Sequence, residues 1–228
     1  DAAEQMLTKA VPILEAWYGP NNYRMENMRI KQSSLASARH DGEQGEKSAT
    51  VALENYRKVF GNDHYNVAEA EECLSEALLG RGELAPALAA CDHALEVISK
   101  VYGAQNYRVA SLQSLRGRIL QKQGDLKQAR EEHKLALALR RTTFGRDSHW
   151  AALSEAELAD TLESGDKTES REDLLRHALK ILEQTFPAGH PKVKDSAEKL
   201  AKALTDAGQA DQAAELRKKY DLPTSATK

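Results

Sequence analysis

The sequence has few aromatic residues and no long hydrophobic run. Its 228 residues include 2 Trp, 7 Tyr and 3 Phe, which is 5% of the chain and little for the core of a globular enzyme. The longest apolar stretch, Leu84 to Cys91, contains Pro86 and is far shorter than the ~20 apolar residues that a membrane-spanning helix needs. We therefore expect no membrane insertion.

The chain also lacks a strong charge of either sign and a cysteine framework. Lys and Arg number 32 against 35 Asp and Glu, and this net charge of −3 argues against nucleic acid as the partner. Two cysteines are too few for a disulfide scaffold, so we expect buried free thiols and a cytoplasmic location. A hydrophobic content of 41% is still sufficient for an ordered core.

The chain does have an internal repeat of 42 residues. An aromatic residue followed by Gly or Pro recurs at this step, at Tyr18-Gly19, Phe60-Gly61, Tyr102-Gly103, Phe144-Gly145 and Phe186-Pro187. Ala-Leu pairs recur in the same register, at Ala52-Leu53, Ala94-Leu95, Ala136-Leu137 and Ala178-Leu179. Several features that coincide in one register predict an array of similar structural units.

Each unit is predicted to contain two helices. In the third unit, apolar residues recur with the helical period at Val109, Leu112, Leu115, Ile119 and Leu120. Gly82 and Gly124 are suited to end the first helix of their units. The position before the first helix holds Asn22, His64, Asn106 and Ser148, and Asn and Ser are favoured N-caps. Because such a helix pair cannot bury its own apolar face, we expect the units to stack into an all-α solenoid.

The order of small residues within the unit resembles the tetratricopeptide repeat consensus. A small residue in the first helix (Ser33, Ser75, Gly117, Ala159, Ala201) precedes the mid-repeat glycine and a second small residue (Ala87, Ala129, Ala213). Residues 61–68 and 189–193 are similar to the 42-residue variant found in kinesin light chains and many bacterial signalling proteins. The resemblance covers residues 19–220 and implies a right-handed superhelical solenoid of antiparallel helix pairs.

This resemblance sets the expected domain boundaries. We expect one tetratricopeptide-like solenoid over residues 1–220, followed by a frayed tail over 221–228. The solenoid is divided into the second helix of a partial repeat (1–18), four full repeats (19–60, 61–102, 103–144 and 145–186) and a terminal capping repeat (187–220).

No pattern in the chain indicates catalysis, a cofactor or a metal site. His64, His149 and His190 stand at repeat junctions, where capping and packing are expected of them, and the other histidines lack ligand spacing. Neighbouring carboxylates such as Glu71-Glu72 and Glu131-Glu132 are interpreted as solvated helix faces. There is neither a phosphate-binding loop nor a nucleophile elbow. We expect a non-catalytic protein without cofactors or metals.

The resemblance implies that the first helices line a concave groove that binds a peptide or protein segment. The residues carried over to this lining are Glu69, Glu72, Glu76, Ser111, Ser114, Arg118, Gln121, Asp160 and Glu163. Glu69, Glu72 and Glu76 share one helix face, where like charges are mutually destabilising. An acidic groove interrupted by Arg118 favours a basic or mixed-charge peptide, although a solvated charged face remains the alternative.

Two specialised binding modes of the family are not supported by the residues. The chaperone-binding carboxylate clamp would require Lys, Asn and Arg where this chain has Ile30, Ser34, Cys73, Ser111 and Leu115. The Asn-rich ladder of kinesin light chains is replaced by Ser75, Glu76, Gly117 and Arg118.

The resulting functional hypothesis is a protein-interaction module that forms part of a larger bacterial signalling or regulatory protein. Two alternatives stay open at this point. One is a sensor for a small ligand or a signalling peptide. The other is a self-assembling scaffold, in which an open end of the solenoid pairs two copies as a homodimer.

Overall fold

A computed structural model describes residues 2–19, 22–162 and 170–223 of the chain. Within these ranges the structure contains α-helices and no strand. The helices are α1 (Ala2–Tyr18), α2 (Tyr23–Ala38), α3 (Gly42–Phe60), α4 (Tyr65–Arg81), α5 (Leu84–Tyr102), α6 (Tyr107–Gln123), α7 (Leu126–Phe144), α8 (His149–Ala159), α9 (Arg171–Thr185), α10 (Pro191–Asp206) and α11 (Ala210–Tyr220).

The helices fall into two compact units, Asp1–Gly124 and Asp125–Lys228. In the first unit each helix packs against the next one, and α2, α4 and α6 also form a layer because α2 contacts α4 and α4 contacts α6. In the second unit α7 packs on α8, α8 on α9, α9 on α10, and α10 on α11. These contacts confirm the all-α fold of consecutive helix pairs. The single continuous solenoid over residues 1–220 stays a prediction.

The first helices begin at the cap position that the repeat predicts. The side chains at this position each accept a hydrogen bond from a backbone N–H in the first turn, and they are Asn22, His64, Asn106, Ser148 and His190. Such a bond satisfies one of the amide groups that a helix leaves without an internal partner. The expected capping role of His64 and His190 is thereby confirmed.

The ends of the first helices show what the mid-repeat glycine does. Gly82 and Gly124 adopt left-handed backbone conformations, with φ of 79° and 89°, and end α4 and α6. In the first repeat the same position holds His40, which adopts a φ of 61°. Because a left-handed conformation is strained for a residue with a Cβ, the first repeat ends its helix at a cost that the second and third avoid.

Small residues let the two helices of a repeat approach closely. The Ser33 hydroxyl donates a 2.7 Å hydrogen bond to the Gly45 carbonyl, and the Ser75 hydroxyl donates one of 2.8 Å to Ala87. A Cβ on Gly45 of α3 would lie only 3.1 Å from Ser37 Oγ of α2. This close packing buries one side of each first helix and leaves the other side for the residues considered next.

Candidate functional site

The candidate site is a face of the first-helix layer in the first unit. It lies on α4 and α6, which are joined by ion pairs. The neighbouring α2 contacts α4 where Ser34 Oγ lies 3.5 Å from Cys73 Sγ. We call this surface the first-helix face. It is defined by Glu69, Glu72 and Glu76 on α4 and by Arg108, Ser111, Arg118 and Gln121 on α6.

The acidic residues of the first-helix face are paired with arginines from the next repeat. Arg108 Nη2 lies 3.3 Å from Glu69 Oε1, and Arg118 Nη2 donates a 3.2 Å hydrogen bond to Glu76 Oε1. All four side chains remain partly exposed. The face therefore carries charges of both signs in alternation, whereas the glutamates considered by themselves suggest an acidic surface.

Glu72 lies on the same side of α4, between the two paired glutamates in sequence. Burial is the largest cause that raises the pKa of its carboxyl group to about 7, and the negative charge of Glu76 adds to it. Arg108 opposes this effect because a positive charge favours the ionised carboxylate. Glu72 therefore changes its charge near neutral pH, within the range in which a binding partner would meet it.

The other residues predicted for the groove are placed in different surroundings. Ser111 and Gln121 are partly exposed on α6, but Ser114 is buried, with only 3% of its surface exposed. Asp160 belongs to the second unit, where Lys199 Nζ lies 2.9 Å from its carboxylate. Glu163 lies outside the described residues.

A second charged cluster of the first unit is not predicted from the sequence. Arg57 on α3 donates a 2.7 Å hydrogen bond to Glu71 Oε1, and His93 Nδ1 on α5 lies 2.5 Å from Glu71 Oε2. Glu71 is only 2% exposed. The interpretation of Glu71 as part of a solvated helix face is therefore wrong, because its carboxylate is held between two neighbouring helices.

The second unit contains the same triad. Arg141 donates a 2.7 Å hydrogen bond to Glu155 Oε1, and His177 Nδ1 lies 2.6 Å from Glu155 Oε2. Each member lies two repeat lengths after its counterpart in the first unit, whereas the equivalent positions in between hold Ser99, Gln113 and Leu135. This recurrence is a signal that a search at twice the repeat length would detect.

The remaining groups with potential chemistry are the two cysteines and the carboxylate and histidine side chains. Among the described residues, no three or more His, Cys, Asp or Glu side chains are arranged to hold a metal ion. Cys73 and Cys91 are free and buried, and burial raises the pKa of the Cys73 thiol to about 12.

Among the helices of the described residues, none combines the length and the apolar character needed to cross a membrane.

Several solved structures share this fold. Repeats of the kinesin-light-chain type from Podosopora anserina are 18% identical, with a TM-score of 0.66 over 87% of this chain and 94% of that one. BtubC (BKLC) from P. vanneervenii is 14% identical, with a TM-score of 0.72 over 100% of this chain and 92% of that one. The apo form of RapI is 13% identical, with a TM-score of 0.66 over 86% of this chain and 69% of that one.

Sequence comparison assigns the family. No curated protein matches the chain by sequence. The family model described as tetratricopeptide repeat matches residues 66–141 and 108–184, which together span just over half of the chain. The fold is also shared with repeats of the kinesin-light-chain type. The chain therefore belongs to the tetratricopeptide repeat family.

Proposed function

We propose that the chain is a non-catalytic interaction module that binds a peptide or protein segment on the first-helix face of its first unit. The observation that supports this most directly is the arrangement of α2, α4 and α6, which presents partly exposed charged and polar side chains on a closely packed layer. The ion pairs between α4 and α6 suit binding because side chains that are already positioned lose less freedom when a partner arrives.

The ion pairs of the first-helix face support a partner of mixed charge. Glu69 and Glu76 already have arginine partners, so a purely basic peptide would have to displace Arg108 and Arg118. A mixed-charge peptide avoids this cost if its basic side chain meets Glu72 and its acidic or polar groups meet the arginines. We therefore favour a mixed-charge partner over a purely basic one.

The proposed contact with Glu72 makes binding dependent on pH. A basic group beside Glu72 would favour the ionised carboxylate and release the proton that Glu72 holds below a pH of about 7. The affinity should therefore rise as the pH increases from 6 to 8. Glu72→Gln should remove this dependence, because an amide does not titrate.

The wider setting is also a proposal. The similarity of the 42-residue repeat to the variant found in many bacterial signalling proteins supports a larger bacterial signalling or regulatory protein as the host. The two free, buried cysteines support a reducing, cytoplasmic location.

The binding face can be tested with a peptide library selected on the wild-type chain. The selected peptides are then measured against Glu72→Lys and against Glu96→Lys, which makes the same charge change on the exposed surface of α5. We expect Glu72→Lys to weaken binding at least tenfold and Glu96→Lys to leave it within about twofold. Equal binding to both variants would place the peptide site elsewhere.

One observation favours the scaffold alternative as a second candidate. Met6, Ile13 and Trp17 of α1 are 71%, 59% and 81% exposed, and large exposed apolar side chains on one helix often mark an association surface. Homodimerisation through this end stays a prediction. Light scattering of the wild type and of Trp17→Lys tests it, since dimerisation through α1 should be concentration-dependent and weaker in the variant.

A further inference from the structure

Two of the first helices are capped by histidine where the corresponding helices are capped by asparagine or serine. The backbone N–H of Asn66 donates a 3.2 Å hydrogen bond to His64 Nδ1 at the start of α4. The backbone N–H of Lys192 donates one of the same length to His190 Nδ1 at the start of α10. One such cap lies in each unit.

An imidazole can accept this bond in only one protonation state. Nδ1 must keep its lone pair, so the ring must be the neutral tautomer that carries its hydrogen on Nε2. A second proton converts Nδ1 into a donor and abolishes the cap. It also places a positive charge at the positive end of the helix dipole, which is unfavourable.

Each capping ring is stacked on an aromatic residue at or directly after the end of the preceding helix. The His64 ring is stacked on Phe60 with a centroid distance of 4.2 Å, and the His190 ring is stacked on Phe186 at 4.3 Å. The stacking fixes the ring plane, so that Nδ1 stays directed at the first turn while the pH changes its charge.

We propose that His64 and His190 are pH-sensitive N-caps that release the first turns of α4 and α10 when acidification adds a second proton to the imidazole ring. This inference is independent of the binding function proposed above. It nevertheless concerns the same helix in the first unit, since α4 carries Glu69, Glu72 and Glu76.

Among the described residues, neither the His64 ring nor the His190 ring forms an ion pair with a carboxylate. The Tyr65 ring lies 4.5 Å from the His64 ring, and the titratable or charged groups of the neighbouring elements are Tyr23 on α2, Arg57 and Lys58 in the last turn of α3, Asp63 in the loop, and Lys100 and Tyr102 on α5. Around His190 they are His149 on α8, Glu183 on α9, Lys192 and Lys194 on α10, and Lys219 and Tyr220 on α11.

These groups act differently in the two units. Asp63 directly precedes His64 in the sequence. The Asp63 carboxylate also interacts electrostatically with Lys100 of α5, so its negative charge is not directed at His64 alone. In the second unit, burial and then the positive charge of Lys192 lower the pKa of the neighbouring His149.

The chain itself supplies the control substitution. Asn22 and Asn106 occupy the same repeat position and cap α2 and α6 through Oδ1 atoms that lie 3.0 Å and 2.9 Å from the amide nitrogens they accept from. An amide does not titrate in this range, so His64→Asn and His190→Asn should preserve the caps and remove their pH dependence.

The test compares the melting temperatures of the wild type, the His64→Asn/His190→Asn double variant and the His64→Ala/His190→Ala double variant at pH 7.5 and at pH 5. Groups that titrate elsewhere are common to all three proteins and cancel in the differences. At pH 7.5 the Asn variant should match the wild type and the Ala variant should melt about 2–4 °C lower per lost cap. At pH 5 the wild type should fall to the level of the Ala variant, while the Asn variant stays above both. Parallel curves for the wild type and the Asn variant would overturn the proposal.

A second measurement reports on each cap directly. Nitrogen chemical shifts of the two imidazole rings should show the Nε2–H tautomer at pH 7.5, and the amide hydrogens of Asn66 and Lys192 should exchange roughly fivefold faster once the caps are lost. An Nδ1–H tautomer at neutral pH, or amide exchange that does not follow the charge of the ring, would also contradict the proposal.

Discussion

The two units share a charged triad around a buried glutamate and differ in the charges on their first helices. Arg57, Glu71 and His93 in the first unit have almost the same distances as Arg141, Glu155 and His177 in the second. The first-helix face is not repeated in this way. Glu69 and Glu72 correspond to Leu153 and Ala156. Asp160 corresponds to Glu76, but its partner Lys199 does not correspond to Arg118, whose counterpart is Lys202.

This comparison distinguishes two kinds of charged residue. The triads hold helices together, whereas the charges of the first-helix face can vary between repeats. A buried carboxylate between two helices needs both of its partners, because an unpaired charge in the interior is costly. Ion pairs on a partly exposed face contribute little to stability, since water solvates either partner when the other is lost. The residues of the first-helix face can therefore differ between repeats without loss of the fold. A surface that determines partner choice requires this freedom.

The largest effects should come from breaking the triads. Arg57→Met and Arg141→Met each leave a buried glutamate with only a histidine partner, and we expect each to reduce the free energy of unfolding by about 2 kcal/mol. Urea unfolding followed by circular dichroism measures this loss. Lys58→Met, which removes an exposed positive charge beside Arg57, should change stability by less than about 0.5 kcal/mol. If the triad variants and Lys58→Met are equally stable, the triads do not hold the helices together.

A smaller effect should distinguish Glu72 from its counterpart Ala156. Folding raises the pKa of Glu72 from 4.5, the value of an ordinary glutamate, to about 7. The protonated side chain is therefore favoured in the folded protein, and the protein loses stability as the pH rises from 4.5 through 7. At pH 5 the free energy of unfolding of Glu72→Gln should therefore not exceed that of the wild type. At pH 8 it should be higher by about 1 kcal/mol, a value that allows for the partial exposure of this side chain. Unfolding curves at the two pH values measure the difference. A gain that does not change with pH would show that the Glu72 carboxyl group is not the cause.

The smallest effects should come from the exposed ion pairs that differ between the units. Double-mutant cycles of Glu76→Gln with Arg118→Gln, and of Asp160→Asn with Lys199→Met, measure the coupling free energy of each pair. We expect about 0.5 kcal/mol or less for Glu76–Arg118 and somewhat more for Asp160–Lys199, whose side chains are each only 25% exposed. Couplings as large as the loss caused by Arg57→Met would remove the distinction between the triads and the first-helix face.

Much of the fold follows from features that act locally along the chain. The 42-residue step, the caps at Asn22 and His64 and the left-handed glycines Gly82 and Gly124 depend on residues close in sequence, and the structure places all of them as expected. The candidate site is less predictable. Ser114 is assigned to the groove by its repeat position but is buried, and Arg108 is not assigned to it although it pairs with Glu69.

The sequence by itself determined that the chain is a tetratricopeptide array, where its first helices begin and where α4 and α6 end. Only the tertiary structure decided which charged residues are buried and which are paired. Glu71 meets partners 14 and 22 residues away, and Glu76 meets one 42 residues away, each on a different helix. The physical reason is that caps and helical periodicity depend on neighbours within one or two turns, whereas the environment of a carboxylate depends on the helices packed against it.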